Sequence, residues 1–84
     1  MKDLAESFDG RGETKGFHFN LLHKSGRGYL YEVRTTPTSH HYEVFERREN
    51  ERYGCVTYPS SKVFGRYAWT YKTIERAMAE FGKL

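Results

Sequence analysis

Near the C-terminus, Ile74, Ala77, Met78 and Phe81 fall at i, i+3, i+4 and i+7. That spacing draws one apolar stripe down one side of an α-helix and leaves the other sides to Glu75, Arg76 and Glu80. Thr73 stands where an N-cap belongs, and Glu75 sits in the first turn near the positive end of the helix dipole. Such a stripe needs a surface to cover. The aromatic-rich stretch from Phe17 to Tyr71 supplies the only one.

That stretch reads as strands. Phe17, Phe19 and Leu21 alternate with His18, Asn20 and Leu22, and Tyr29, Tyr31 and Val33 with Leu30, Glu32 and Arg34. Tyr42 and Val44 alternate with Glu43, Phe45 and Arg47, and Val56 and Tyr58 with Cys55 and Thr57. Period-two patterning rich in aromatic and β-branched residues predicts half-buried strands. Tyr67–Trp69 predicts a further short extended piece. The fold class expected is α+β: an antiparallel meander sheet of about four strands with one C-terminal helix packed on one face.

Turn lengths then predict the faces. A three-residue loop at Ser25–Arg27 sets Leu21 opposite Tyr31 and Phe19 opposite Val33. A turn at Thr36–Ser39 sets Tyr31 opposite Val44 and Val33 opposite Tyr42. A loop at Glu49–Glu51 sets Val44 opposite Val56 and Tyr42 opposite Tyr58. All three agree on one core face of Phe19, Leu21, Tyr31, Val33, Tyr42, Val44, Val56 and Tyr58. The opposite face would carry His18, Asn20, Leu22, Leu30, Glu32, Arg34, Glu43, Phe45 and Arg47, with Glu32 directly across from Glu43. Residues 1–16 hold three glycines and many charges and predict a flexible N-terminal arm, with residues 17–84 as the single domain.

The 84 residues make one domain close to the lower limit for a self-sufficient core, so a bound partner or a homodimer would add stability. Cys55 is the only cysteine, which excludes an internal disulfide and points to the cytoplasm. No apolar run approaches the roughly 20 residues of a membrane span, so no membrane partner is expected. Residues 1–13 carry two basic and four acidic side chains (net −2), and the rest twelve and seven (net +5). A mildly basic body suits nucleic acid and an ordinary solvated surface alike.

Two interaction sites follow. Leu22, Leu30 and Phe45 would form an apolar centre on the mixed-charge outer face, suited to a protein partner or a second copy. Arg34, Arg47, Arg48 and Arg52, with nearby tyrosines, would suit nucleic acid through phosphate contacts and base stacking. The four histidines lack the convergent spacing of a metal site. A His41–Cys55 nucleophile pair lacks a third orienting group. Gly10-Arg11-Gly12 and Gly26-Arg27-Gly28 do not match a phosphate loop. No enzyme activity, cofactor or metal is therefore expected.

The ending Tyr67-Ala68-Trp69-Thr70-Tyr71-Lys72-Thr73, followed by a helix with Ile74, Ala77, Met78 and Phe81, resembles the close of AP2-like DNA-binding domains. These include the arm-binding domains of some bacterial and phage integrases. The resemblance spans Tyr29–Phe81 in element order and only the last stretch in residues. It implies a three-stranded sheet entering the major groove with a helix behind it, and Arg34, Arg47 and Arg48 as DNA contacts. The chain departs from that pattern in an extra strand and in Glu32 and Glu43, where a DNA reader favours Arg and Lys. It is also similar in look to small proteins carried by bacterial mobile elements, a likeness that assigns no activity.

Overall fold

A computed structural model describes all 84 residues. Its seven strands are β1 (Ser7–Asp9), β2 (His18–Lys24), β3 (Gly28–Thr36), β4 (Ser39–Glu46), β5 (Glu49–Asn50), β6 (Cys55–Val56) and β7 (Ala68–Tyr71). The helix α1 spans Ile74–Phe81. The main sheet is antiparallel in the order β1-β2-β3-β4-β7, and β5-β6 form a separate two-stranded hairpin. The fold is thus α+β, a meander sheet with a C-terminal helix on one face. No helix is long and apolar enough to cross a membrane.

Two bulges set the faces. The β2–β3 turn pairs Lys24 with Tyr29, a register that would flip β2 if it continued. An irregularity at Leu22 absorbs one residue, so Leu21 meets Tyr31 and Phe19 meets Val33, as the sequence predicts. The β3–β4 turn pairs Thr36 with Ser39, also as predicted, but a second irregularity at Thr35 shifts everything beyond it. Tyr31 therefore faces Glu43, Val33 faces His41, and Leu30 faces Val44. A one-residue slip exchanges the two faces of β4. Val33 and Val44 consequently lie on opposite sides of the sheet, against the expectation of a shared face. Glu32 faces Tyr42 rather than Glu43, which removes the apparent clash of carboxylates.

Both faces are covered. On one, α1 sets Ala77 against Leu30 and Val44, with Tyr42, Tyr71, Ile74, Phe81 and Leu84 packed around them. The N-cap forms as expected, with Thr73 Oγ1 accepting from the Arg76 amide at 3.4 Å. Met78, assigned to the stripe by its spacing, lies at the margin and is 38% exposed. On the other face lies the larger cluster of Phe19, Tyr29, Tyr31, Val33, Phe45, Val56 and Ala68. Its lid comes from two segments: the N-terminal Leu4 and Phe8, and the β6–β7 connection through Tyr58, Val63 and Phe64. The predicted fourth strand at Cys55–Tyr58 thus leaves the sheet. β7, not β6, pairs with β4, and Val44 faces Trp69.

The first sixteen residues do not stand off the body as an arm. β1 pairs with β2, the Leu21 amide donates to the Glu6 carbonyl at 2.7 Å, and Lys2 is bonded on both sides to Gly54 and Val56. Phe8 stacks on Phe19 with ring centroids 4.7 Å apart.

Candidate functional site

The register shift turns Glu43 inward. It lies on the face lined by Tyr31 and Phe45, and at 6% exposure it is the only charged residue among the buried ones. Burying a carboxylate is costly unless it is paired or hydrogen-bonded. Here Tyr58 donates its hydroxyl to Oε1, and His41 Nε2 lies 3.0 Å from Oε2. No lysine or arginine lies within ion-pair range of it, so a half-buried imidazole is its only basic neighbour.

Glu43 lies in the wall of a cleft of about 490 Å³. β4 supplies Glu43 and β7 supplies Thr70, its direct cross-strand neighbour. The connection after β6 supplies Tyr58, Ser60, Ser61 and Phe64. A 3-10 turn at Gly12–Thr14 brings Arg11, Glu13 and Thr14 to the opposite rim. Gly12 enters that turn at φ +60, a left-handed conformation suited to glycine. The result is a bowl with hydroxyls on its walls and one buried carboxylate, with the exposed guanidinium of Arg11 and the exposed carboxylate of Glu13 at its mouth. Such a bowl can hold a cationic group against Glu43 while the hydroxyls accept its remaining hydrogens.

Neither predicted site assembles. Leu30 and Phe45 are fully buried, on opposite faces, and only Leu22 is exposed, at 40%. They do not form a surface patch, because the Thr35 bulge sends Phe45 to the Tyr29–Tyr31 cluster while α1 covers Leu30. Of the arginines, Arg34 pairs with Glu32 at 3.5 Å and Arg48 with Glu46 at 3.1 Å. Arg47 reaches Glu49 at 3.1 Å and Asp3 at 3.5 Å, and the first of these raises its already high pKa. Arg48 also lies 4.1 Å over the Tyr67 ring. Arg52, 5.5 Å over the exposed Tyr53, is the one of the four with no carboxylate partner. No family model, curated protein or solved structure matches this chain.

A second polar cluster holds the N-terminus. Tyr29 donates its hydroxyl to Asp3, which also meets Lys24 at 3.2 Å and the Leu4 amide at 2.8 Å. The Tyr29 hydroxyl, with Leu4 and Lys24 assisting, holds the Asp3 carboxyl down at about 2. Burial, then Asp3, pushes Tyr29 up to about 12. Tyr31, raised chiefly by burial, donates to the Ala5 carbonyl at 2.6 Å. The cluster is a latch, not a site: its groups are spent on one another.

The histidines are dispersed. His18 pairs with Asp9 at 2.8 Å, His23 lies beside the Phe81 ring, and His40 bonds Tyr42. No group of three or more potential metal ligands converges. Cys55 is half-buried in β6.

Alternation along β4 predicts Glu43 on an exposed face, and the bulge at Thr35 that turns it into the cleft has no counterpart in that pattern. One signal was available. Tyr42-Glu43-Val44-Phe45 and Tyr29-Leu30-Tyr31 are nearly continuous apolar runs, the mark of strands buried on both sides.

Proposed function

We propose that the protein is a small non-catalytic interaction module that recognises a positively charged group of a protein partner through the Glu43 cleft. One observation carries the reading: the only buried carboxylate of the molecule borders an open cleft and has no lysine or arginine against it, only the His41 imidazole. A bound ammonium or guanidinium would supply the missing counter-charge where water is partly excluded, and charge-assisted bonds are strongest there. His41 and Tyr58 hold the carboxylate in place, and no nucleophile stands among the lining residues in an activating arrangement.

Nucleic-acid binding through Arg34, Arg47, Arg48 and Arg52 has less support. Three of the four would have to leave carboxylates that already hold them.

Titration of isotopically labelled protein with blocked lysine amide and blocked arginine amide tests the reading. Amide shifts should concentrate at Glu43, Tyr58, Ser61 and Thr70, and Glu43→Gln should weaken them at least ten-fold. Unperturbed spectra at millimolar ligand would sink it. A salt-sensitive shift with a short DNA or RNA duplex centred on Arg52 would favour the other reading instead.

A further inference from the structure

The cleft opens beside a free sheet edge. β7 ends the main sheet, and its outer side has no strand partner. The Glu46 amide donates to the Tyr67 carbonyl at 2.9 Å, which fixes the phase of the β4–β7 ladder. Bonds in an antiparallel pair alternate, so Trp69 and Tyr71 point their backbone groups toward β4 while Ala68 and Thr70 point theirs outward. The Ala68 carbonyl is met by the Gly65 amide at 2.6 Å. The outward amide and carbonyl of Thr70 meet no other backbone group of the chain. Thr70 is also exposed, and its side chain shares the cleft with Glu43.

We infer that an extended, lysine- or arginine-bearing segment of a partner protein adds to the outer edge of β7 at Thr70 and seats its cationic side chain over Glu43. This deepens the proposed function and rests on it. An added strand pairs its backbone with the Thr70 amide and carbonyl, the usual mode of edge recognition. The added residue opposite Thr70 projects to the same face as Thr70 and Glu43, since directly paired residues share a face. It stands about 10 Å from β4, two strand spacings away. A lysine or arginine spans that distance together with the glutamate side chain; a short side chain does not. Phe64, bridged to Ala68, closes the far end of the edge and fixes where the added strand stops. Charge selects the occupant: a second copy pairing β7 with β7 about Thr70 would place a threonine, not a cation, at the position facing Glu43.

The test uses a blocked seven-residue peptide of alternating threonine and valine with a central lysine, beside the same peptide with norleucine or glutamate at the centre. The lysine peptide should bind at least ten-fold more tightly than either. It should slow exchange of the Thr70 amide, and Glu43→Gln should erase the preference over norleucine. Equal affinity for lysine and norleucine, or unchanged exchange at Thr70, overturns the inference. If blocked lysine amide alone still perturbs Glu43 and Tyr58, the cleft reading survives that loss; if it does not, both fall. A dimer by light scattering with Thr70 protected in the absence of peptide also overturns it, because the edge is then taken by a second copy.

Discussion

Tyr29, in the middle of the larger core cluster, donates its hydroxyl to Asp3, 26 residues away along the chain. The ring is fully buried, yet its tip reaches the N-terminal segment and draws that segment across the sheet. Arg47 donates to the same hydroxyl at 2.7 Å, so residues from three distant parts of the chain meet at one oxygen. Tyr31 repeats the device at Ala5. Two tyrosines on one face of β3 thereby convert an acidic, glycine-containing terminus into a lid.

Tyr29→Phe removes the shared hydroxyl and should cost about 1.5 kcal/mol, the low end of the range for a hydrogen bond to a charged group, because the Asp3 carboxylate is partly exposed. Asp3→Asn should cost a similar amount. The two should be non-additive in a double-mutant cycle measured by urea unfolding, because each removes the other's partner. Strict additivity would mean that the hydroxyl and the carboxylate act independently.

Acid should loosen the lid. Asp3 is held at about 2 in the folded protein against an ordinary 3.8. Its contribution is therefore complete above about pH 4 and is lost as pH falls toward 2. The side chain is 35% exposed, so solvent screening limits the effect to about 1 kcal/mol. Stability measured from pH 5 to pH 2 should fall less steeply in Asp3→Asn than in the parent. Parallel curves would refute the assignment.

Gly28 starts β3 where the backbone of β4 passes close. A Cβ built there stands 2.7 Å from the Phe45 carbonyl oxygen and also collides with the Leu84 side chain. Leu84 can swing aside, but the β4 backbone cannot. Gly28→Ala should destabilise by about 1–3 kcal/mol, as overpacking does, and should shift amide resonances at Phe45 and Glu46. A neutral effect would show that the two strands part without cost.

The C-terminal helix is legible because its stripe and its cap are local, and Thr73, Ile74 and Ala77 do what their spacing predicts. The strands β2, β3 and β4 are legible for the same reason. Their faces are not, because a bulge leaves no mark in alternation. At Leu22 the bulge cancels a turn of unexpected length, so Phe19 and Val33 meet as predicted although the loop differs. At Thr35 nothing cancels it, and β4 turns over. That single residue moves Phe45 into the core and Glu43 to the cleft. The lid was illegible because its cause is long-range: Asp3 and Ala5 gain order only from hydroxyls on β3.

Truncation of Leu22, Leu30 and Phe45 separates the observed arrangement from an exposed patch. Were all three at the surface, each alanine variant would lie within about 0.5 kcal/mol of the parent. In the observed fold, Leu30 is sealed under α1 against Val44 and Ala77. Phe45 packs with ring centroids 5.4 Å from Tyr29, 5.8 Å from Tyr31 and 5.3 Å from Tyr58. Leu30→Ala should therefore cost about 2–5 kcal/mol and Phe45→Ala about 3–5 kcal/mol. Leu22→Ala, at an exposed bulge, should change little. The two costly variants should differ in where they loosen the molecule. Hydrogen exchange in Leu30→Ala should rise first in α1, whereas Phe45→Ala should release the segment from Cys55 to Phe64 and expose the Glu43 cleft. Release of the same elements by both variants would mean that the two sides of the sheet do not hold separate lids.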